Sequence, residues 1–264
     1  MTKYRMVKQI GKGTFGRVYL VREEKTKELF CMKAMNKWKK ITKGSMREIF
    51  STEVEALKKM NHKNVIKYVD HFETKNHFYI VMEYAKDGEL FNLAASKRIS
   101  EKEARDLFLQ IIYGVEHIHK MGYFHRDLKL ENILLDDSVV KICDFGLAAK
   151  KNGKEKAKGD VGSPNYASPQ VINDQPYDGV KNDIWNLGVI LFVLCSGKYP
   201  FGNDLPIKEL FRVILKKDPP LYMMRFVDVD LDMLVKDLLE KNEKNRILFE
   251  RIKENTWLNK QGST

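Results

Sequence analysis

The reading turns on residues 123–135, "YFHRDLKLENILL". Between apolar ends this stretch crowds Arg126, Asp127, Lys129, Glu131 and Asn132. Neither a buried strand nor an amphipathic helix tolerates so much charge in so few positions. Four residues separate Asp127 from Asn132, and "CDFG" places Asp144 twelve residues further on, at the end of the strand candidate "VVKICDFG". A strand pair there would bring the three oxygen-bearing side chains together. Two carboxylates and an amide suit a hard, oxygen-seeking ion such as Mg²⁺, which shares its shell with phosphate. Taken singly, each is also an ordinary turn residue. Turn chemistry does not account for the three together beside Lys129.

Upstream, "GKGTFGRV" spaces Gly11, Gly13 and Gly16 as G-x-G-x-x-G. Dinucleotide-binding turns share that spacing, but they lead from strand into helix, and here the strand candidate "RVYLV" follows. No G-K-[ST] is present, so a Walker loop is excluded. A strand–glycine turn–strand can lie over phosphates and offer backbone N–H groups. Alone it is equally compatible with a plain hairpin. In "LFCMKAM", strand alternation puts Lys33 on the face of Leu29, Cys31 and Met35. Such a lysine needs an anion nearby or must lose its proton, unless its stem merely snorkels. On the helical stripe Ile49, Phe50, Val54 and Leu57, Glu53 also points inward. An inward cation and an inward carboxylate offset part of each other's burial cost, so a Lys33–Glu53 pair is expected.

The bulk composition sets the frame. The chain has 264 residues, 43% of them apolar, which is ample for a sizeable core. A formal charge of +11 admits a nucleic-acid partner, but no basic block is interleaved with stacking aromatics. A lysine-rich surface around a local acidic cleft is the simpler reading. Cys31, Cys143 and Cys195 form no CxxC pair, which suits a reducing compartment. The N-terminus has no signal-peptide core, and the longest apolar run, 187–195, is far short of the ~20 residues that span a bilayer. A soluble, intracellular protein of the cytoplasm, the nucleus or both is expected.

The organisation is a β-rich first part and a helical second part. Strands are expected at "YRMVKQIG", "RVYLVRE", "ELFCMKAM", "VIKYVDHFE" and "HFYIVMEY", with one helix over 46–60. "AKDGEL", 85–90, reads as a linker broken at Gly88. Ser100 and Glu103 make a capping box ahead of a long helix that stops at Gly122. "NDIWNLGVILFVLCSG" is apolar all round and should be buried. Two amphipathic helices follow, near 231–239 and 247–257. No internal repeat is present, and "KKNGKEKAK", 150–158, reads as an exposed loop.

"GKGTFGRV", "FCMK", "HRDLKLEN" and "DFG", in that order, resemble the eukaryotic protein kinase signature set. The likeness continues through "GSPNYASPQ", "NDIWNLGV" and "NRILFERIKENTWL". It implies an α+β bilobal protein kinase-like fold: a small antiparallel β lobe with one key helix, then a larger, mainly α-helical lobe. Residues 1–84 would form the nucleotide-binding lobe and 85–264 the substrate-binding and catalytic lobe, one domain over about 4–258. By resemblance, Gly11, Lys12, Gly13, Thr14, Phe15 and Gly16 cover the phosphates of ATP, Ile10 joins them in binding the nucleotide, and Lys33, held by Glu53, contacts the α- and β-phosphates. Val18, Cys31 and Leu134 sandwich adenine, the backbone of Glu83 and Ala85 bonds its edge, and Met82 closes the pocket. Asn132 and Asp144 hold Mg²⁺, with Mn²⁺ an alternative. Asp127 accepts the proton of, or orients, the attacking hydroxyl, and Lys129 marks the serine/threonine branch. Ser163 stands where these kinases keep a hydroxyl near Asp127. Glu89 and Glu131 match positions that read basic residues before the acceptor. The overall pattern looks most like the AMP-activated and related kinases of the calcium/calmodulin-dependent-like group. Protein substrates with Ser/Thr acceptors are implied, and regulatory subunits or domains outside this chain are allowed.

Three departures concern regulation. Relatives carry a phosphorylatable threonine where this chain has Gly159, leaving Asp160 as a partial partner for Arg126. "SPQ" replaces the usual "APE", so Gln170 can offer Arg246 only a neutral hydrogen bond. Five lysines within 150–158 repel one another. Two competing readings remain: a pseudokinase that binds nucleotide without turnover, and a nucleic-acid-binding protein suggested by charge alone.

Overall fold

The computed structural model describes residues 3–41, 44–96, 98–151, 157 and 162–260. Five antiparallel strands, β1 (Tyr4–Lys12), β2 (Arg17–Glu23), β3 (Leu29–Asn36), β4 (Tyr68–Glu73) and β5 (His77–Glu83), form one sheet in the order β1-β2-β3-β5-β4. Period-two alternation sorts its side chains. Phe30, Met32 and Val81 join Tyr4 and Val21 on one face, while Met35, Phe78, Ile80 and Met82 face the main core. The edge strand β1 slips register around Val7 and Ile10, leaving both residues exposed. The fourth strand is shorter than its sequence suggests: Val65 and Ile66 leave the sheet to contact Ile142.

Helix α1 (Met46–Lys59) packs on the inner face. Ser45 and Glu48 exchange both bonds of a capping box, which satisfies two otherwise orphaned donors. Met46, Phe50, Val54 and Leu57 make its buried stripe, and the Phe50 ring stacks on Phe78 at 4.5 Å. After Gly88, which adopts a φ of 77° as a side chain rarely would, a short strand β6 (Gly88–Glu89) runs into α2 (Leu90–Ser96).

The second lobe is built on α3 (Glu101–Lys120) and the later α5 (Gly179–Ser196). Between them lie β7 (Tyr123–Phe124), β8 (Ile133–Asp136), β9 (Val139–Ile142), β10 (Ala149–Lys150) and α4 (Pro169–Ile172). Ser100 caps α3 through the Glu103 N–H. Helix α5 is buried almost throughout and is capped by Asp178 and by Gly197 at φ 77°. Helices α6 (Ile207–Lys216), α7 (Val229–Leu238), α8 (Phe249–Ile252) and α9 (Thr256–Asn259) complete the chain. The single helix expected near 247–257 is therefore two, because the Asn255 side chain accepts the Trp257 N–H and starts a new turn. Lys150 belongs to a strand pair with Tyr123 rather than to a loop. Most of the remaining lysine-rich stretch lies outside the described residues, as do Gly159 and Asp160. Among the described residues no helix is long and apolar enough to cross a membrane.

Candidate active site

The cleft between the lobes is assembled from four short segments. Strand β3 presents Lys33 and α1 presents Glu53, both buried. Lys33 Nζ donates to Glu53 Oε1 at 2.7 Å and Oε2 at 2.8 Å, and to Asp144 Oδ1 at 2.7 Å. Burial pushes the Glu53 carboxyl up to about 7, against the pull of Lys33. Burial also opposes the charges on Lys33 and Asp144, yet each holds the other ionised: the ammonium is shifted up and the Asp144 carboxyl down. Asp144 sits in the left-handed region at φ 63°, and its Oδ1 also accepts the Gly146 N–H at 3.3 Å. That strain is localised beside a charged contact, as at many functional sites.

The second half of the cleft comes from the stretch 125–132. Asn132 donates to the Asp127 carbonyl at 2.8 Å and to its Oδ2 at 3.0 Å. Lys129 Nζ donates to the same Oδ2 at 2.9 Å and to Ser163 Oγ at 3.0 Å. The Asn132 carbonyl accepts the Cys143 N–H at 2.9 Å, and His125 Nε2 meets the Cys143 carbonyl at 3.0 Å. These bonds lock the two acidic segments side by side, with Asp144 next in the chain. The β8–β9 hairpin supplies the geometry, since Ile133 pairs with Ile142.

Beneath this loop lies Asp183, fully buried on α5. Its carboxylate accepts the His125 and Arg126 N–H groups at 2.9 Å each, and His119 at 2.8 Å. Burial works against its charge, but the His119 contact and these N–H groups keep its carboxyl below the usual range. Sequence reasoning passed over Asp183. The available signal was one acid inside a helix otherwise apolar all round.

A protein kinase domain model matches residues 4–258. The chain belongs to the protein kinase domain family. It is 38% identical over 264 residues to CBL-interacting protein kinase 2 of Oryza sativa subsp. japonica, covering 98% of this chain and 59% of that protein. It is also 38% identical to CBL-interacting serine/threonine-protein kinase 12 of Arabidopsis thaliana, covering 98% and 53%. Against serine/threonine-protein kinase SAPK2 of Oryza sativa subsp. indica the identity is 38%, with 97% and 76% covered. The chain thus spans little more than half the length of the first two relatives.

In this kinase domain the glycine turn closes with a Gly13 N–H to Gly16 carbonyl bond of 2.9 Å, and Lys39 holds the Thr14 carbonyl from outside. Gly16 is required sterically: an added Cβ would lie 2.2 Å from the Ala34 carbonyl oxygen. Lys12 pairs with Arg17 across the turn, and Phe15 is tucked under it. A Cβ on Gly146 would come within 2.8 Å of the Phe15 ring, and Lys33 Nζ is 5.8 Å from that ring's centre. Val18 lies opposite Lys33, and Gly11 opposite Val18, while Cys31 lies opposite Met82 on the next strand. Leu134 and Cys31 both pack against the main core, and Ala85 is buried just past β5. The Glu83 side chain is engaged elsewhere, accepting Lys141 at 3.0 and 3.1 Å and the Lys67 N–H at 2.8 Å. Burial pushes the Cys31 thiol up to about 12, and Cys143 is also raised, so both stay protonated.

Glu131 and Glu89 interact electrostatically. Burial raises the Glu89 carboxyl, and Glu131 adds to the shift. Glu131 Oε2 is buried without a hydrogen-bond partner among the described residues. No group of three His, Cys, Asp or Glu among the described residues could hold a metal alone. Asn132 and Asp144 offer one amide and one carboxylate, donors suited to an ion whose shell phosphate and water complete. Farther off, Arg246 Nη2 donates to Gln170 Oε1 at 3.0 Å, and Gln170 Nε2 donates to the Lys241 carbonyl at 2.7 Å. Arg246 is buried, and desolvation lowers its pKa to about 10.

Proposed function

We propose that this chain is a serine/threonine protein kinase that transfers the γ-phosphoryl group of ATP to protein hydroxyls. It prefers basic residues before the acceptor and does not depend on an activation-loop threonine. The observation that carries this reading is the convergence of Lys33, Glu53 and Asp144 with Asp127, Lys129 and Asn132 on one cleft. Lys33 places the α- and β-phosphates, and Glu53 fixes the direction of the ammonium. Asp127 orients the incoming hydroxyl and takes its proton, while Lys129, shared with Ser163, steadies the moving phosphoryl group. Asn132 and Asp144 would hold Mg²⁺, or Mn²⁺ in its place, which neutralises phosphate charge when bound. Ile10 to Gly16 and Val18, with Cys31, Met82, Glu83, Ala85 and Leu134, frame the nucleotide. Phe15 withdraws from its seat on Gly146 to admit the triphosphate.

The buried, unpartnered Oε2 of Glu131 beside the charge-strained Glu89 supports a site for a cationic substrate side chain. Relatives named for a CBL interaction support a regulatory partner. The cytoplasm, the nucleus or both is the proposed setting.

The test is transfer of labelled phosphate from ATP to an arginine-bearing peptide. Wild type should turn over with Mg²⁺ and stop with chelator. Asp127→Asn should lose about a thousandfold in kcat, within the range electrostatic and proton-transfer groups supply, while retaining nucleotide affinity. Nucleotide binding with no transfer by wild type would replace this reading with a pseudokinase. Salt-sensitive binding of nucleic acid that ignores ATP would replace it altogether.

A further inference from the structure

We propose that the Tyr177 hydroxyl is a positioning group for the catalytic loop, acting through Arg126 on Asp127; the inference rests on the kinase reading above. Arg126 directly precedes Asp127 and adopts a φ of 70°, a conformation that costs a bulky residue energy unless its surroundings impose it. Asp183 holds the backbone from below, through the Arg126 N–H at 2.9 Å. The side chain is held from another direction: Nε donates to Tyr177 Oη at 3.1 Å. The backbone and the side chain of Arg126 are therefore each anchored beside Asp127.

Tyr177 is well placed to be a fixed anchor. It is 1% exposed and packs with Ala167 and Val171. The next residue, Asp178, caps the buried helix α5 through the Val180 N–H at 2.8 Å. The Tyr177 backbone exchanges two hydrogen bonds with Ala157, at 2.9 and 3.0 Å. A Cβ on Gly162 would lie 3.3 Å from both the Arg126 carbonyl and Asp127 Oδ1. Tyr177 thus meets the catalytic loop through its phenol and Ala157 through its backbone, directly before the residue that caps α5.

The segment from Asp144 to Gly162 contains no serine, threonine or tyrosine. A charge-dependent tie between that segment and Arg126 cannot be created there by phosphorylation of a hydroxyl. The Tyr177 hydroxyl is buried and part of the folded chain itself, so its hold on Arg126 needs no modifying enzyme. That assigns the unregulated part of the loop geometry to a specific atom.

The test is a double-mutant cycle of Tyr177→Phe and Arg126→Ala, with Arg126→Gln as the alternative where alanine does not fold. Tyr177→Phe should lower kcat for the peptide about tenfold, the weight of one charge-assisted hydrogen bond, with KM for ATP unchanged. In the Arg126 variant the same change should have no further effect on kcat. An equal loss in both backgrounds, or no loss in wild type, would overturn the proposal. Hydrogen exchange of the segment 123–132 gives a readout independent of turnover. Tyr177→Phe should speed it in wild type and not in the Arg126 variant; unchanged exchange in wild type would also overturn the proposal. Absence of phosphate transfer by wild type would instead count against the kinase reading.

Discussion

Glu53 gives this cleft its pH dependence. It is fully buried, and desolvation lifts its carboxyl to about 7 from an ordinary value near 4.5. Protonation removes the anion that directs Lys33, so activity should fall as pH drops through about 7. The sign for stability is opposite. The folded state binds the Glu53 proton more tightly than the unfolded chain does, so this group favours the fold more as pH falls from 7 toward 4.5. A kcat/KM profile should therefore show an acid limb near 7, and Glu53→Gln should flatten that limb while lowering the plateau. A limb that survives in Glu53→Gln assigns the titration to another group. On the substrate side, Glu131→Gln should raise KM for arginine-bearing peptides about tenfold or more, since truncating a buried charge partner is costly. Its KM for a peptide lacking arginine should stay near the wild-type value. The charged residues of this site were legible because each is expensive where the pattern puts it. Tyr177 and Asp183 were not, because their partners are far away in sequence.

At the scale of elements, strand and helix periodicity was legible almost throughout the small lobe. Lys33 and Glu53 fell on inward faces because period 2 and period 3.6 place them there. The failures came where side chains intervene in the backbone. Asn255 restarts a turn that apolar spacing alone would have continued, and Val65 and Ile66 leave a run of strand-forming residues to join Ile142. Helix α6 was overlooked although Ile207, Leu210, Phe211 and Ile214 repeat at helical spacing. One helix position is tightly packed where the lobes meet. A Cβ on Gly114 of α3 would lie 2.7 Å from Ile142 Cδ1 and 2.8 Å from the Asn64 carbonyl oxygen. Gly114→Ala should destabilise the domain by about 1–3 kcal/mol through overpacking, despite alanine's better helix propensity. Chemical denaturation decides the sign, and a stabilised variant would show that the joint is loose.

For the whole molecule, Arg246 is a buried cation of the helical lobe whose charge is met directly by backbone carbonyls and favoured by Glu243, Glu240 and Asp178 nearby. Arg246 is 2% exposed and donates to the carbonyls of Lys181 at 2.7 Å and Glu240 at 2.8 Å, as well as to Gln170, with Trp185 under its guanidinium at 5.1 Å. The neutral hydrogen bond expected between Gln170 and Arg246 is present, and carbonyl dipoles supply the guanidinium's other direct partners. Removing the guanidinium leaves several acceptors dry, so Arg246→Ala should cost roughly 3 kcal/mol or more. Gln170→Ala should cost about 1 kcal/mol, the net worth of a typical hydrogen bond. Thermal melts of the two variants measure the difference, and equal losses would make Gln170 the true anchor. Activity of protein made without an upstream kinase should survive phosphatase treatment; a large loss would count against independence from activation-loop phosphorylation, unless Ser163, Tyr166 or Ser168 proved to be the modified residue.

Local chemistry determined what lies along the chain: alternation and helical spacing set the elements, and crowded charge marked 125–132 and Asp144 as a site. Only the tertiary structure decided which distant groups meet. The Lys33 ammonium reaches Asp144 across 111 positions, Arg126 finds Tyr177 across 51, and Asp183 supports the loop across 57. Periodicity reports the environment of a residue and not the identity of its neighbours. Those are settled when the whole core packs and each buried polar group must find a partner within hydrogen-bond reach.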